Sequence, residues 1–374
     1  MIALQGFIAD IRHTPQLLSP LTRYDGITEF NINSSKSYGL IQFPESQDTL
    51  AFSKWVSPKR TRSYPFARIY NIYGQNSKCV TIIPIIKDEG LAGDNDRINA
   101  ITFSWMSLMN VYIILAWYDD GVVSRRAGKI TKQRFDNDYI RAKIEEIRSY
   151  RASALHWNTT HFKRDFVAIY QQAIESYERL GHRIGITMHN SADHVRALAR
   201  FTPDGVFNID AFKAASLNAS ELAARREVKV NHRLEILTQG AKGLFVISNY
   251  LGGEYYLTAD ELFFEDDTLV IQESKNNSRG KLPKLADIQD GLFKLILFTN
   301  LERLLIDGQP IQFRVRLKLT GNLKGILILP SEDELLDAFI HANALGISWH
   351  ALVKRLNAET QYNKGLTVMI TGHL

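Results

Sequence analysis

The spacing of apolar and polar residues predicts strands, then helices, along the first 240 residues. The runs Phe66–Tyr73 and Val80–Ile86 flank a Gly-Gln-Asn-Ser turn and predict a β-hairpin. The apolar block from Ile101 to Tyr118 suits a helix followed by a strand, although its periodicity does not decide between them. Residues 138–147 and 166–170 place apolar side chains three and four apart, which predicts helices.

The last third of the chain changes pattern. A helix is predicted from Ala219 to Leu237, ended by Gly240, and another from about Leu285 to Leu301. The sequence also predicts short strands, which span residues 243–248, 254–257, 261–265, 268–275, 311–319 and 325–329. Helices are predicted to close the chain.

Composition and cysteine content exclude several classes of protein. Hydrophobic residues make up 45% of the chain and charged residues 23%, which excludes intrinsic disorder. The net charge of +5 permits a polyanionic partner without requiring one. The single cysteine, Cys79, rules out an internal disulfide and a cysteine-clustered zinc site, and it fits a reducing compartment.

No membrane or secretory segment is expected. Residues Met1–Gly6 lack the basic and long apolar stretches of a signal peptide. The most apolar stretch, Val111–Tyr118, is much shorter than the roughly 20 residues that cross a bilayer. We therefore expect a cytoplasmic protein with no membrane partner.

Positive charge is concentrated in two places. Between residues 121 and 200, 15 Lys and Arg stand against 8 Asp and Glu. A smaller cluster is interleaved with aromatic residues and comprises Lys54, Lys59, Arg60, Arg62 and Arg68. Such groups suit phosphate contacts and base stacking, although solvated side chains around a loop explain either cluster equally well.

The stretch from Leu257 to Lys275 carries the candidate chemistry. Two apolar strands flank the turn Asp266–Asp267, so this stretch is predicted to form a hairpin that brings Asp260 near Glu273. Because side chains alternate along a strand, Glu273 and Lys275 share one face. Two carboxylates and a lysine suit metal-assisted phosphodiester cleavage, in which the carboxylates bind Mg²⁺ and the amine lies beside the phosphate. An exposed hairpin with a charged end is the alternative that spacing alone leaves open.

This arrangement resembles the PD-(D/E)xK nuclease superfamily, whose core is a helix, a three-stranded meander, a helix and a strand. Asp260 in Thr-Ala-Asp matches the first acidic position, with Ala259 in place of the usual proline, and Glu273-Ser274-Lys275 matches the (D/E)-x-K triplet. The resemblance implies a mixed sheet flanked by helices. It also implies Mg²⁺ held by Asp260, Glu273 and the Ser274 carbonyl, with Lys275 positioning or activating water.

Further positions are similar to features of some members of the superfamily. Glu227 and Glu235 stand in the helix predicted before the meander, where either can supply an additional catalytic acid, and Glu235 is the expected one because it is nearer the meander. Gln289 and Phe293 resemble a Gln-x-x-x-Tyr motif in which phenylalanine replaces tyrosine. The role of Gln289 is left open by that departure.

The N-terminal half, including residues 63–70 and 80–90, resembles that of bacterial type II restriction endonucleases of this superfamily. This resemblance implies sequence-specific cleavage of double-stranded DNA to 5′-phosphate and 3′-hydroxyl ends, a homodimer, and a cognate DNA methyltransferase as a genetic partner. The residues expected to contact DNA are Lys59, Arg60, Arg62, Arg125, Arg126, Asn276, Asn277, Arg314 and Arg316. The last two alternate with Val315 and Leu317, so with Lys318 they form a cationic strip on one strand face.

The changes of pattern divide the mixed α/β chain into four predicted segments. These are a strand-rich N-terminal region for DNA recognition, a basic helical region for DNA contact, the catalytic core and C-terminal helices, at residues 1–125, 126–215, 216–330 and 331–374. Two other functions stay open. One is a nuclease of the same core that recognises a DNA structure or end in repair or phage defence, and the other is a non-enzymatic DNA-binding protein.

Overall fold

The computed structural model describes residues 2–60, 62–75, 77–216, 241–250 and 254–373, apart from the side chains of residues 2, 3, 241, 242 and 260. The chain is mixed α/β and forms two compact units. The C-terminal unit joins Met1–Pro20 to Ser220–Leu374, and the central unit is Leu21–Ala219. The four segments predicted from the sequence stay a prediction.

The strands of both units are short except in the candidate core. In chain order they are β1 (Ile2–Ile8), β2 (Thr22–Asp25), β3 (Tyr38–Phe43), β4 (Asp48–Lys54), β5 (Lys78–Pro84), β6 (Ile86–Asp88), β7 (Asn95–Arg97), β8 (Val111–Ala116), β9 (Tyr118–Val123), β10 (Ile130–Phe135), β11 (Ala241–Asn249), β12 (Glu254–Glu265), β13 (Thr268–Asn276), β14 (Arg303–Ile306), β15 (Gln309–Pro310), β16 (Phe313–Gly321), β17 (Ile326–Leu329) and β18 (Leu366–Gly372).

The helices begin and end where local capping chemistry allows. They are α1 (Pro65–Ile72), α2 (Ala100–Leu108), α3 (Asn137–Ser149), α4 (Ala154–Ile184), α5 (Ser191–Phe201), α6 (Leu285–Thr299), α7 (Asp333–Ala342) and α8 (Ile347–Tyr362), and residues 209–216 are also helical. The longest, α4, begins after Ser153, whose side chain accepts a hydrogen bond from the His156 backbone N–H. It ends at Gly185, whose φ of 67° is the left-handed conformation that glycine adopts freely.

One sheet organises the C-terminal unit, in the order β15-β14-β1-β11-β12-β13-β16-β18-β17. Strands β11, β12 and β13 form an antiparallel meander. The chain then passes through α6 and the short strands β14 and β15 to β16, which runs parallel to β13. The turn between β12 and β13 is Asp266–Asp267, with φ values of 46° and 61°. Aspartate tolerates the left-handed region that a two-residue hairpin turn requires at both central positions, which explains this pair.

Helix α6 is almost wholly buried because it covers β13 and β16. Ile288, Phe293 and Ile296 are each 0% exposed. Burial of one such side chain contributes about 1.5–3 kcal/mol, so the apolar residues of α6 fix its position on the sheet. This position decides which polar residues of the helix approach the end of β13.

The N-terminal segment after β1 is held by side chains of the C-terminal unit. Gln289 Nε2 donates to the carbonyl oxygen of Leu17 at 2.7 Å. Arg355 donates to the carbonyl oxygens of Gln16 and Leu18, both at 2.9 Å. These bonds, together with the parallel pairing of β1 with β11, explain why the first 20 residues belong to this unit.

The central unit is built on a five-stranded sheet in the order β2-β3-β4-β5-β8. Strands β4, β5 and β8 are parallel and are joined by α1 and then by a connection that contains α2. Parallel strands are covered on both faces, which explains the unbroken apolar run of β8. Strands β9 and β10 form a separate two-stranded sheet.

Several predicted elements are confirmed and others are wrong. The apolar block from Ile101 to Tyr118, for which periodicity did not decide between helix and strand, forms most of α2 and all of β8, and the helices predicted at 138–147 and 166–170 lie in α3 and α4. The first strand of the hairpin predicted at Phe66–Tyr73 is wrong, because these residues form most of α1. Pro65 begins this helix, and burial on nearly every side hides its helical periodicity.

Two predictions near the candidate site also need correction. Residues 254–265 form one strand, β12, so Asp260 lies inside a strand and not at the start of one. The chain closes with β18 and not with a helix, because the alternating sequence Leu-Thr-Val-Met-Ile-Thr pairs with β16 and β17. The helix predicted at Ala219–Leu237 lies outside the described residues.

Candidate active site

Strand alternation sorts the polar residues of β13 onto two faces. Gln272 Nε2 donates to Glu261 Oε2 at 2.7 Å and to Ser274 Oγ at 3.2 Å, so these three side chains share one face. Glu273 and Lys275 lie on the opposite face, which α6 covers. The side chain of Ser274 therefore points away from Glu273, as strand alternation predicts.

Glu273 is a buried carboxylate held by two ammonium groups. It is 5% exposed, and its Oε1 lies 2.9 Å from Lys275 Nζ and 2.7 Å from Lys294 Nζ. A buried charge is costly unless it is paired and hydrogen-bonded, so these two contacts offset the cost of placing a carboxylate beneath α6.

Lys275 links Glu273 to a second carboxylate. Its Nζ lies 3.5 Å from Asp290 Oδ2, and Asp290 is 9% exposed. Glu273, Lys275, Asp290 and Lys294 therefore form one group, which we call the Glu273 cluster. Its two carboxylates and two ammonium groups have formal charges that cancel, which makes the burial of four ionisable side chains possible.

The two members on α6 were missed by sequence reasoning. Asp290 and Lys294 are four residues apart, so they lie on the same side of the helix. The available signal was their position in Leu285–Thr299, an otherwise largely apolar helix, because charged residues within a buried helix need partners. Those partners come from β13, which the helix sequence alone does not reveal.

Gly291 allows α6 to approach the cluster closely. A Cβ atom at this position would lie 2.8 Å from Leu317 Cδ1, 3.2 Å from Lys275 Cε and 3.5 Å from Glu273 Cγ. The first distance is too short for a real contact. The absence of a side chain at Gly291 therefore sets the spacing between the helix and the charged end of β13.

Asp260 occupies a register shift in the backbone beside the cluster. β12 pairs Ala259 with Gly243 and Leu262 with Ala241, so residues 260 and 261 together lie opposite residue 242. Such bulges redirect side chains and occur often beside active sites. On its other side, β12 pairs with β13 as far as Glu261 and Gln272, one position before Asp260 and Glu273. The Asp260 side chain and all of Glu235 and Glu227 lie outside the described residues.

The donor chemistry of the cluster suits Mg²⁺. Glu273 and Asp290 both carry hard carboxylate oxygens, the ligand type that Mg²⁺ prefers, and both contact the same lysine ammonium. Among the side chains that the structure describes, no three acidic, histidine or cysteine residues gather as a metal-binding group. A third carboxylate would have to come from a position such as Asp260.

The Gln289–Phe293 pair has structural contacts. Gln289 is 2% exposed, and its Nε2 donates to the Leu17 carbonyl oxygen at 2.7 Å and to Ser19 Oγ at 3.3 Å. Phe293 is 0% exposed and belongs to the core. These contacts give Gln289 a role in holding the N-terminal segment.

The predicted cationic strip lies on the other face of the sheet and is paired with an acid. Arg316 donates to both carboxylate oxygens of Glu265, at 2.9 and 2.6 Å, and Arg314 also contacts Glu265. Burial lowers the pKa of Arg316 from its usual value. A bidentate pair of this kind fixes Arg316 within the sheet, and the expected DNA contact of both arginines stays a prediction.

The other residues expected to contact DNA differ in how freely they face solvent. Asn276 is exposed, whereas Asn277 donates to the Leu282 carbonyl oxygen at 2.8 Å and accepts from the Gly280 N–H at 2.8 Å. Asn277 therefore folds its own loop.

In the central unit, Lys59 is exposed and the Arg60 guanidinium lies 5.6 Å from the centre of the Trp105 ring. Arg62 forms ion pairs with Glu89, Asp94 and Asp96. Arg125 and Arg126 are exposed. Of the five cationic residues predicted in this unit, these last two and Lys59 are the most open to a partner.

Comparison with known protein families, curated proteins and solved structures found no match to this chain. None of the helices in the described ranges is long and apolar enough to span a membrane. The geometry of the Glu273 cluster and the order of the elements around it therefore carry the functional argument.

Proposed function

We propose that this chain is a Mg²⁺-dependent endonuclease of double-stranded DNA with a PD-(D/E)xK core. The observation that carries the proposal is the contact of Glu273 with Lys275 at the end of β13, beneath α6. The element order supports it, since the meander β11-β12-β13 is followed by α6 and, after the short strands β14 and β15, by the parallel strand β16, and a meander, a helix and a parallel strand are the expected elements of that core. The described residues do not include the helix expected before the meander.

The side chains of the cluster have distinct parts in the proposed reaction. Glu273 and Asp260, with the Ser274 carbonyl, would hold the metal ion. Bound Mg²⁺ supplies positive charge at the attacked phosphate and makes its bound water more acidic. Lys275 is oriented by Glu273 and Asp290, and its ammonium donates hydrogen bonds to the attacking water or to a phosphate oxygen.

Burial by α6 strengthens these interactions. Electrostatic attraction is several times stronger in a partly dehydrated site than in water, and fixed charges need no reorganisation during the reaction. The Glu273 cluster, with its side chains largely covered, provides this environment. In-line attack of water on phosphorus would break the P–O3′ bond, with the departing 3′ oxygen taking a proton, and would leave 5′-phosphate and 3′-hydroxyl ends.

Sequence specificity completes the proposal. The resemblance of the N-terminal half to type II restriction endonucleases favours recognition of a near-palindromic site by a homodimer, in a cytoplasm that also contains a cognate methyltransferase. Recognition of a DNA structure or end is the alternative within the same chemistry.

Digestion of a supercoiled plasmid with Mg²⁺ or with EDTA tests the activity and its specificity. We expect discrete linear bands with Mg²⁺, no cutting with EDTA, and ends that DNA ligase rejoins without further treatment. A smear or a dependence on free ends would replace site-specific cleavage by the alternative. If the protein binds DNA but cuts it with none of the divalent ions tested, the result would support the remaining alternative, a non-enzymatic DNA-binding protein.

Three variants locate the activity in the cluster. Asp260→Asn and Glu273→Gln remove metal-binding charge with little change of shape, and we expect both to abolish cutting. Glu302→Gln, which changes an exposed glutamate of the same unit, is the matched control and should cut like the wild type. Full cutting by Asp260→Asn and Glu273→Gln would place the chemistry elsewhere.

A further inference from the structure

The hairpin of β9 and β10 stands apart from the main sheet of the central unit. Its strands pair with each other, and the loop between them is Ser-Arg-Arg-Ala-Gly-Lys, residues 124–129. The Ser124 N–H donates to the Lys129 carbonyl oxygen at 2.9 Å, which closes the loop. We call the residues from Val122 to Lys132 the hairpin tip.

The hairpin tip carries only positive charge. It contains Arg125, Arg126, Lys129 and Lys132, and no acidic residue occurs between Gly121 and Phe135. Arg125 and Arg126 are exposed, and their guanidinium groups form no ion pair with any residue that the structure describes. These two arginines are therefore available to an anionic partner.

Acidic residues at the base of the hairpin are already neutralised. Asp119 lies 3.4 Å from Arg179 of α4, and Asp120 forms ion pairs with Arg134 and Arg183. The hydrogen bond from Arg134 lowers the pKa of Asp120 to about 2, although burial acts in the opposite direction. These two carboxylates are thus paired with arginines outside the tip. Asp94, whose pKa is lowered first by Arg62 and also by Lys129 of the tip, is likewise held in an ion pair by Arg62.

Two adjacent valines of β9 are exposed at the tip. Val122 is 46% exposed and Val123 is 51% exposed. Successive strand residues point to opposite sides, so the two valines are open on the two sides of β9, whereas Ile130, which pairs with Val123 from β10, is buried. Exposed apolar side chains beside arginines suit base edges, where thymine presents a methyl group and guanine presents two acceptors.

The tip is held on a firm support within the central unit. The Ile130 N–H donates to the Glu89 carbonyl oxygen at 2.9 Å. Gly90, with φ of 87°, lies so close to Gly128 that a Cβ atom at position 90 would be 2.6 Å from the Gly128 carbonyl oxygen. Such support preorganises the ribbon and lowers the entropy lost on binding.

We infer that the hairpin tip enters the major groove of duplex DNA and reads base edges there. The major groove, about 12 Å wide, admits a two-stranded ribbon of this kind. Arg125 and Arg126 would donate to guanine acceptors, and the valines would contact thymine methyl groups. The partner, double-stranded DNA, rests on the proposed nuclease function, whereas the reading element is assigned by the charge and exposure of the hairpin.

The experiment compares binding by matched double variants. Affinity for a fluorescent mixed-sequence duplex is measured by anisotropy in Ca²⁺, and plasmid digestion in Mg²⁺ is run in parallel. Arg125→Ala/Arg126→Ala removes the tip arginines. Arg23→Ala/Lys36→Ala removes two other exposed cations of the central unit and causes the same change of net charge. Thermal unfolding of each variant checks the fold.

We expect the tip variant to bind at least about tenfold more weakly than the wild type, since one arginine–guanine pair contributes about 1–3 kcal/mol. The control should bind nearly normally. Methyl green, which occupies the major groove, should compete with the wild type more strongly than netropsin, which occupies the minor groove.

Each outcome bears on the inference. Equal losses in both double variants, or stronger competition by netropsin, would overturn it. If the tip variant binds and cuts DNA like the wild type, the assignment of the hairpin tip as the reading element is rejected and the nuclease proposal stands. If binding depends on the tip but no cutting occurs, the inference about the hairpin tip is supported and the proposed nuclease function is rejected. Failure of the wild type to bind duplex DNA would overturn both.

Discussion

At the scale of single residues, the pairing of Glu273 with two ammonium groups defines the proposed site. Lys275 and Lys294 contact the same carboxylate oxygen, and Lys275 also lies 3.5 Å from Asp290 Oδ2. This difference divides their roles. In the proposed reaction, Lys275 contacts the reacting phosphate, whereas Lys294 would act through Glu273 as a positioning residue.

Replacement of Lys294 tests that division. Lys294→Met removes one positive charge beside Glu273, so the site should bind Mg²⁺ more tightly. We expect the Mg²⁺ concentration for half-maximal cutting to fall about tenfold, with a lower melting temperature because Glu273 loses a partner.

Lys284→Met, at the exposed start of α6, is the control and should leave both quantities unchanged. Titration of cutting against Mg²⁺ gives the answer. An unchanged Mg²⁺ requirement in Lys294→Met would show that this lysine does not act through the metal-binding carboxylate.

The proximity of site residues within one strand could be predicted from the sequence, whereas the proximity of residues on another element could not. Strand alternation alone places Glu273 and Lys275 together, because residues two positions apart in a strand share a face. Asp290 and Lys294 reach them only through the packing of α6 and the missing side chain of Gly291. That contact depends on how two elements pack together, so no pattern within one segment of the sequence predicts it.

At the scale of elements, α6 joins the proposed site to the N-terminal segment. Asp290 and Lys294 contribute to the cluster, while the neighbouring Gln289 binds the Leu17 carbonyl oxygen. One helix therefore carries adjacent residues with different tasks.

Truncation of Gln289 should separate those tasks. Gln289→Ala leaves the buried Leu17 carbonyl oxygen without this donor, which costs about 1–3 kcal/mol of unfolding free energy. We expect denaturant unfolding to show this loss while the cutting rate per folded molecule is kept. Gln309→Ala, at an exposed position, is the control. Normal stability with lost cutting would instead assign Gln289 to the reaction.

Asp120, where the β9–β10 hairpin begins, leads to a prediction about the stability of the fold at low pH. The pKa of Asp120 is lowered from 3.8 to about 2, first by the hydrogen bond from Arg134. The ionised Asp120 carboxylate therefore stabilises the fold fully when the pH is above 3.8, the pKa of the unfolded chain. This stabilisation is lost as the pH falls through about 2, the pKa of the folded chain.

Asp120→Asn should be less stable than the wild type at neutral pH and should lose less stability between pH 3.8 and 2. Asp204→Asn, at an exposed position, should follow the wild type. Unfolding curves across this pH range measure both effects. Parallel wild-type and Asp120→Asn profiles would contradict the ion-paired anchoring of the hairpin.

At the scale of the whole molecule, the chain forms two compact units, one of which combines residues from both ends of the sequence. The first 20 residues join residues 220–374 through β1 and β11, a pairing of strands more than 200 positions apart. Strand β18 likewise enters the sheet between β16 and β17. Hydrophobic pattern indicates that such strands are half-buried, but only tertiary packing selects their partners.

The concentration of charge was visible before the fold. The excess of Lys and Arg between residues 121 and 200 is plain in the sequence, and it includes the exposed hairpin tip. Which of these cations stay open was not visible, because Arg134, Arg179 and Arg183 pair with acids brought close by folding. The mixed α/β class, the meander order and the shared face of Glu273 and Lys275 could thus be predicted from the sequence, whereas the partners of individual charges could not.

The most direct test of the proposed site measures DNA binding and single-turnover cutting by Lys275→Ala and by its control Lys324→Ala. Loss of one preorganised charge that acts on the reacting phosphate costs about 10²–10³ in rate. We expect Lys275→Ala to bind plasmid DNA like the wild type and to cut it at least that much more slowly, while Lys324→Ala does both normally. Cutting by Lys275→Ala at the wild-type rate would contradict the proposal.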